Sequence, residues 1–357
     1  MLKTYMKTAW RNLVRTAGYS TLNVLGLSIG MGVALLIGIW AYEQYSYERF
    51  LPDHGRIYRV LRNFNSNGDT LTFATTSLKL ADALRSQIPE IEDVCESDWM
   101  EEHGLVVGDK KLYLTGGMVA GNFEKIFQFP LLKGSYESVL REPSSIVLTQ
   151  ATATALFGND DPIGRSVRFD NMGDLRVTGI LKDLPSNTSF DFHFLVPFRY
   201  LEMTDYDART ARGGGFQQNG YQLFVKLQAD ANKELVAAKI RNIEHTEGNV
   251  NAMNSYVILH PMDRWHLYGK FENGKDGPGF LVYVRLFGVI GVLVLLIACI
   301  NFINLTTARS EKRAREVGVR KAIGSSRRDL IFQFLMESFL LTFIAFLVSL
   351  MLVELGR

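Results

Sequence analysis

Three long apolar blocks dominate the hydrophobic pattern of the chain. They run from Leu22 to Tyr42, from Leu281 to Leu305 and from Leu330 to Leu355. A helix rises about 1.5 Å per residue, so about 20 apolar residues cover a hydrocarbon core of about 30 Å. The few ionisable residues in the last two blocks lie near block ends, where a long side chain can reach the interface. Three transmembrane helices are therefore predicted, over residues 21–42, 281–305 and 330–355.

The first 20 residues show a second helical pattern, in which apolar and basic positions fall on different faces. The apolar positions are Leu2, Tyr5, Met6, Ala9, Leu13 and Val14, and the basic ones are Lys3, Lys7, Arg11 and Arg15. This pattern predicts an amphipathic helix on the membrane surface over residues 1–20, ended by a turn at 18–20. Within the first span, Gly26 and Gly30 form a small-xxx-small pattern that would let another helix pack closely, although such spacing is common by chance.

Residues 43–280 carry the periodicities of a large α+β domain. Strand–helix–strand patterns at 56–99 and 221–260 flank an insertion, about 110–200, that has strand signals of its own. The two flanking patterns would build one α+β lobe from both ends of the region. The insertion is predicted to form a second, β-rich lobe, and the glycine-rich segment at 273–279 a connector back to the membrane.

The distribution of charged residues predicts how the chain is oriented in the membrane. The net charge of +2 and the hydrophobic content of 47% are those of an ordinary globular protein, so averages hide the three blocks. Basic residues crowd the N-terminus and the segment at 306–329, and the positive-inside rule makes both cytoplasmic. Residues 43–280 would then lie on the opposite side. A cleaved signal peptide is the competing interpretation of the N-terminus, but the long apolar run favours an uncleaved anchor.

Motifs for catalysis are missing from the sequence. It contains no G-x-x-x-x-G-K-[ST] nucleotide loop, no H-E-x-x-H metal motif and no G-x-S-x-G nucleophile elbow. We therefore predict a chain that is not an enzyme, with no catalytic residues, no metal site and no cofactor of its own.

The basic segment at 306–329 also has features of an exposed helix. Two acid–base pairs stand four residues apart in the order that stabilises a helix, by about 0.2–0.5 kcal/mol each: Glu311 with Arg315 and Glu316 with Arg320. Gly318 costs about 1 kcal/mol at a mid-helix position, which favours close approach by another backbone. Attraction to anionic lipid is the alternative and explains the charge alone. Docking of a cytoplasmic partner explains the pairs and the glycine as well, and it is the favoured hypothesis.

Short motifs along the chain carry a family resemblance. The strongest are Asn304-Leu-Thr-Thr-Ala-Arg309, Arg315-Glu-Val-Gly-Val-Arg-Lys-Ala-Ile-Gly324 and Gln333-Phe-Leu-Met-Glu-Ser338. A further one, Leu148-Thr-Gln-Ala-Thr-Ala-Thr-Ala-Leu-Phe-Gly158, lies in the predicted insertion. Over nearly its whole length the chain resembles the MacB/FtsX family of ABC transporter permeases.

The resemblance implies a permease subunit in a bacterial inner membrane, driven by ATP that a separate cytoplasmic ABC ATPase binds. The external region would be a porter-like lobe with a β-rich insertion, moved by mechanotransmission through the first two spans. The ATPase-coupling residues would be Arg309, Arg315, Glu316, Gly318, Arg320, Lys321, Ala322 and Gly324. Other expected partners are a second permease half or copy, membrane lipid, and a periplasmic or outer-membrane protein, but no nucleic acid.

Two further points follow from the resemblance. The family has a fourth span, so the sequence is expected to be part of a longer permease. The family exports macrolides and peptides, releases lipoproteins or controls wall hydrolases, and the sequence does not choose among these roles. The alternative function is a membrane-anchored sensor or scaffold that binds an extracytoplasmic ligand without ATP, although the predicted cytoplasmic segments are too short for a signalling domain.

Overall fold

The computed structural model describes residues 2–246, 249–312, 317–319, 322 and 326–356. They form two compact units: a helical unit, Met1–Tyr45 with Val282–Arg357, and a core domain, Ser46–Leu281. The helices are α1 (Leu2–Arg15), α2 (Ala17–Tyr45), α3 (Leu78–Gln87), α4 (Phe123–Phe127), α5 (Gln150–Phe157), α6 (Phe198–Thr204), α7 (Tyr206–Ala211), α8 (Lys233–Ile240), α9 (Leu281–Lys312) and α10 (Arg327–Gly356).

The strands all lie in the core domain, as far as the structure describes the chain. They are β1 (Ile57–Ser66), β2 (Asp69–Phe73), β3 (Thr76–Ser77), β4 (Ile91–Ser97), β5 (Glu101–Val107), β6 (Lys110–Val119), β7 (Leu131–Lys133), β8 (Ser145–Thr149), β9 (Ser166–Phe169), β10 (Gly173–Leu181), β11 (Phe194–Pro197), β12 (Asn219–Leu227), β13 (Ser255–Pro261), β14 (Phe271–Glu272) and β15 (Lys275–Asp276).

Three helices are long and apolar enough to cross a membrane, as predicted. The candidate spans within α2, α9 and α10 are Ala17–Tyr45, Leu281–Ala308 and Leu330–Gly356, with 29, 28 and 27 residues. At about 1.5 Å per residue each exceeds a hydrocarbon thickness of about 30 Å. Most of their large apolar side chains are exposed within the chain, which suits contact with lipid or another helix.

The joint between α1 and α2 differs from the predicted turn at 18–20. Only Thr16 separates the two helices, so α2 begins before the predicted start of the span. Thr16 Oγ1 donates to the carbonyl of Asn12 at 2.9 Å, and Ser20 Oγ donates to that of Leu13 at 3.1 Å. These bonds satisfy carbonyls that the end of α1 leaves without intrahelical partners. The joint is therefore made by hydrogen bonds from hydroxyl side chains, and the predicted turn at 18–20 lies within α2.

Both ends of the core domain build the porter-like lobe. β12 lies between β1 and β4 and is antiparallel to both, while β13 pairs with the other edge of β1. The side chain of Ser77 caps α3 by accepting from the Leu80 N–H, and Asn232 caps α8 by accepting from the Leu235 N–H. Each helix buries an apolar face in the core shared with these strands. This interleaving is what two β-α-β units from opposite ends of a region produce.

The inserted lobe is larger than predicted. β5 pairs with β6 and β9, so the insertion begins at Glu101 rather than near Lys110. It also extends past residue 200, because Tyr200 on α6 and Ala211 on α7 pack in its core. Sequence patterning missed β5 because Leu105 is its single fully buried residue and its first two residues are exposed. The segment at 273–279, predicted as a connector, contributes to the short hairpin of β14 and β15.

A central aromatic core joins the two lobes. The lobes meet in the sheet at the pair Ser97–Val119, and beside it rings from both lobes pack together, for example Phe127 and Phe224 with centroids 5.3 Å apart at 82°. The rings in this core are Phe123, Phe127, Phe129, Phe190, Phe192, Phe224 and Trp265. Edge-to-face pairs add about 0.5–1.5 kcal/mol each beyond burial. The lobes are therefore parts of one compact unit.

Candidate coupling interface

The coupling segment, residues 306–329, begins as a continuation of α9. That helix runs on to Lys312, beyond the predicted end of the span at 305, and residues 317–319 and 322 are helical too. The backbone of Arg309 lies in α9. Arg315, Glu316, Arg320, Lys321 and Gly324 lie outside the described residues.

Three described helical positions of the coupling segment are exposed. Gly318 and Ala322 are both exposed, and Val319 keeps 59% of its surface accessible. A Cβ placed on Gly318 would meet no described atom within 4 Å. The close backbone approach that would explain a mid-helix glycine is therefore not made by the described part of this chain.

The small residues of α2 pack against α9. A Cβ added to Gly30 would collide with the Cβ of Ala298, and one added to Gly26 would lie 3.3 Å from Nδ2 of Asn301. Ala298 also belongs to a small apolar cluster with Leu27 of α2 and Ala345 of α10. Small-residue contacts of this kind bring helix backbones together and gain dispersion energy that lipid cannot replace.

A hydrogen bond ties the start of α2 to the end of α9. Tyr19 Oη donates to Thr306 Oγ1 at 3.2 Å, and Thr306 Oγ1 donates in turn to the carbonyl of Phe302 at 2.7 Å. Further along, Trp40 of α2 meets Phe287 of α9 edge-on, with centroids 5.2 Å apart. The two helices are thus fastened at several levels. Sequence reasoning missed Tyr19, which it assigned to a turn.

Just after α2, Glu48 anchors the chain within the core domain. Its carboxylate accepts from Thr188 Oγ1 at 2.8 Å and from the N–H of Ser189, and its own N–H donates to the Asn187 carbonyl at 3.1 Å. Glu48 is buried with a φ of 62°, a conformation that non-glycine residues adopt only when their surroundings hold them there. Burial raises the pKa of Glu48, while the bonds from Ser189 and Thr188 oppose that rise.

An aromatic stack links the segment after α2 to the segment before α9. The ring of Tyr47 lies on that of His266, with centroids 3.5 Å apart and planes 9° apart, and His266 also contacts Phe280 at 5.1 Å. The N–H of Leu281 donates to the carbonyl of Leu267 at 3.2 Å. Burial lowers the pKa of His266 and so favours its neutral, stacking form. The two chain segments that connect to membrane helices are therefore joined inside the core domain.

A cluster of charges, which we call the junction cluster, lies where the lobes meet. Its members come from both lobes: Asp82, Arg85, Glu96, Glu202 and Arg212. All of them except Asp82 line a pocket of about 550 Å³. Arg212 contacts Glu96 at 3.1 Å and Asp82 at 2.6 Å, while Arg85 binds both oxygens of Glu96. Burial alone would raise the pKa of Glu96, but the two arginines outweigh it and lower the pKa. Nothing in the sequence signals this cluster, because its residues are far apart along the chain.

Among the described residues, no group of three or more His, Cys, Asp or Glu side chains could hold a metal ion.

Comparison with known families decides the identity. Residues 20–243 match the MacB-like periplasmic core domain, and residues 288–356 match the FtsX-like permease C-terminal region. The chain belongs to the MacB/FtsX permease family. This confirms the resemblance seen in the sequence motifs, and the core domain of this MacB/FtsX permease is its periplasmic core domain.

Individual relatives of this MacB/FtsX permease are distant. It is 26% identical over 206 residues to the uncharacterized ABC transporter permease YknZ of Bacillus subtilis, covering 57% of this chain and 46% of the relative. It is 24% identical over 359 residues to the macrolide export ATP-binding/permease protein MacB of Bdellovibrio bacteriovorus, covering 94% of this chain and 51% of the relative. The chain thus spans about half the length of the curated relatives it matches.

A solved domain of a putative permease protein from Porphyromonas gingivalis is also similar. It shares 18% sequence identity with a TM-score of 0.49, over 66% of this chain and 99% of the solved chain.

Proposed function

We propose that this chain is the permease subunit of an ATP-driven ABC complex and that a separate cytoplasmic ATPase docks on the coupling segment. The observation that carries the proposal is the presence of both family regions in one chain, with the coupling segment inside the FtsX-like match. The exposed helical positions Gly318, Val319 and Ala322 support it, because no described part of this chain covers the glycine. ATP would be bound by the partner.

The proposal also states on which side of the membrane each segment lies. Basic residues favour a cytoplasmic N-terminus and a cytoplasmic coupling segment. The first span, α2, separates the N-terminus from the core domain, and α9 leads back to the coupling segment, so the core domain would lie in the periplasm.

Motion would pass from the coupling segment to the core domain through α2 and α9 together. The Tyr19–Thr306 hydrogen bond and the contact of Gly30 with Ala298 link these two helices. Closely packed elements transmit a displacement because their interfaces are not continuously deformable. In the core domain, the Glu48 anchor and the stack of Tyr47 on His266 would receive it. The resulting work would serve export or envelope remodelling, and the macrolide-export name of the Bdellovibrio relative supports export.

The docking proposal is tested by co-purification with the ABC ATPase encoded nearest to this chain. The triple variant Glu316→Ala, Gly318→Leu, Arg320→Glu should retain at least tenfold less ATPase than the unaltered chain, because it removes one charge, reverses another and adds a side chain at the exposed glycine. A triple variant of the same chemistry on the core domain, Glu137→Ala, Gly55→Leu, Arg165→Glu, is the matched control and should retain the ATPase fully. Undiminished retention by the first triple variant would refute this docking site.

A further inference from the structure

A small pocket in the porter-like lobe is lined by Arg59 and His260, and the described residues offer no hydrogen-bond partner to Arg59 Nε or to either ring nitrogen of His260. It has a volume of about 190 Å³, and its lining includes Arg59, Thr72, Ala74, His260, Trp265 and Phe271. A cavity of about 150 Å³ is enough to hold a benzene molecule. The pocket therefore has room for a small organic ligand.

Arg59 presents a cation without an acceptor. Its guanidinium lies over two neighbouring rings, 5.4 Å from the centroid of Phe224 and 4.8 Å from that of Trp265. Its Nε is buried and donates to no atom of the described chain. Glu48 acts on it only through space, since that carboxylate is already bound by Thr188 and Ser189.

The charge on Arg59 persists despite this environment. Burial lowers the pKa of Arg59 to about 10, so the side chain is still cationic at neutral pH. As a whole Arg59 is half-buried, but its Nε is buried without a partner among the described residues, and a guanidinium has five N–H donors to satisfy. An acceptor from outside the described chain would complete the site.

His260 adds a neutral donor on the same pocket. Its side chain is 4% exposed, and neither ring nitrogen makes a hydrogen bond to the described residues. Nδ1 faces Oδ1 of Asp276 at 3.3 Å, while the other oxygen of Asp276 binds Arg264 at 2.7 Å. Burial lowers the pKa of His260 to about 4, against the pull of Asp276, so the ring is neutral at pH 7.

We propose that this pocket binds a small carboxylate, held by Arg59 and His260, with its apolar part against Trp265 and Phe271. A guanidinium presents parallel N–H groups that match the two oxygens of a carboxylate. The neutral imidazole can add one N–H to the same group, and the aromatic walls bury the hydrocarbon part.

The lining argues against other ligand classes. A metal cation would be repelled by Arg59 and would find no carboxylate among the six lining side chains named above. A phosphate dianion would bring two charges to a single cation inside partly apolar walls, which leaves one charge buried and unpaired. A carboxylate matches the one available charge.

The site can be tested with the full chain in detergent micelles, without any ATPase. The probes are sodium propionate, N-acetylalanine and N-acetylalanine amide, each compared with sodium chloride at equal ionic strength, with binding followed by calorimetry and tryptophan fluorescence. Propionate represents a free short acid and N-acetylalanine the C-terminus of a peptide. Saturable binding of either acid, with no binding of the amide, is expected, and which of them binds tells which source of carboxylate the pocket accepts.

Variants separate this pocket from the rest of the surface. Arg59→Met, which removes the charge, and Ala74→Leu, which fills the pocket and keeps the charge, should each weaken binding at least tenfold. Arg241→Met is the matched control, because Arg241 stacks on Tyr256 at 3.8 Å in the same lobe but outside the pocket, and it should bind normally.

Two results would overturn the proposal. One is the absence of saturable binding by both acids, which would mean that water alone satisfies Arg59. The other is unchanged affinity in the variants, and Ala74→Leu decides this even if Arg59→Met does not fold. Because no ATPase takes part, failure here leaves the proposed docking function untouched.

Discussion

The junction cluster and the Arg59 pocket differ in whether a charged side chain has a partner of opposite charge. In the junction cluster, Glu96 is bound by both Arg85 and Arg212, so opposite charges meet within the chain. In the pocket, Arg59 lies over two neighbouring aromatic rings, and its Nε has no acceptor among the described residues. Complete pairing suits a structural role, here holding two lobes together, whereas a persistent unpaired group indicates a site that something else completes.

Glu124 is a buried carboxyl group that, unlike Glu96, has no partner among the described residues. Glu124 on α4 is fully buried, and neither of its carboxyl oxygens has a hydrogen-bond partner among the described residues. Burial raises its pKa to about 8, so it is largely protonated at neutral pH. An acid can lose its charge in this way, but an arginine cannot, because its pKa starts so much higher.

The largest effect is expected from Glu96→Gln, which leaves Arg85 and Arg212 facing a neutral amide. We expect the free energy of unfolding to fall by about 3 kcal/mol, the lower end for a broken buried pair, because both arginines can turn toward solvent. Thermal and denaturant unfolding of the purified full chain at pH 7 would measure it. The arginines lower the pKa of Glu96, so this stabilisation is present above about pH 4.5 and is lost as pH falls through the lowered pKa.

Glu202→Gln is the matched control for that experiment. It removes only the outer 3.3 Å contact to Arg212 and should cost less than about 1 kcal/mol. Equal losses in the two variants would contradict the central role given to the buried carboxylate.

An intermediate effect is expected from Glu124→Gln, and it should depend on pH. The folded pKa of about 8 lies above the ordinary value of 4.5, so stability from this group is complete below pH 4.5 and is lost as pH rises toward 8. The variant cannot ionise and should be more stable than the unaltered chain at pH 8, by about 2 kcal/mol, with little difference near pH 5. Unfolding measured from pH 5 to 8 would test this, with exposed Glu137→Gln as control. A pH-independent difference would contradict the buried, unpaired assignment.

The smallest effect is expected from Arg59→Met without added ligand. The lost ring contacts and the relief of a buried, unpaired charge oppose each other, so the free energy of unfolding should change by less than about 1 kcal/mol. Arg85→Met should cost about 2 kcal/mol, because it removes charge-assisted bonds to Glu96. The two variants, measured side by side by denaturant unfolding, sharpen the comparison. A loss for Arg59→Met as large as that for Arg85→Met would show that Arg59 is structurally paired.

Much of the fold could be predicted because the signals are local. The three spans follow from runs of apolar residues, and α3, α8 and their neighbouring strands follow from periodicity and capping residues such as Ser77. The prediction failed where a local signal was weak. β5 buries little and was not predicted at all, and the joint at Thr16 depends on side-chain hydrogen bonds that the sequence pattern does not reveal.

The candidate sites also differ in whether the sequence alone reveals them. The coupling residues form one contiguous motif, and Gly26 and Gly30 form another, so both were visible in the sequence; the contact of Gly30 with Ala298 was not, because that residue lies far along the chain. The junction cluster and the pocket of Arg59 and His260 left no sequence signal, since their members come from separate strands and helices.

The sequence by itself determined the membrane spans, the two β-α-β patterns of the porter-like lobe and the family, because apolar run length, periodicity and contiguous motifs depend on neighbouring residues. Only the tertiary structure decided which charges are paired. Burial and distance between side chains remote in sequence control that pairing, and they exist only once the sheet and its aromatic core have formed. The same arginine side chain is therefore a structural tie beside Glu96 and an open binding group beside Trp265.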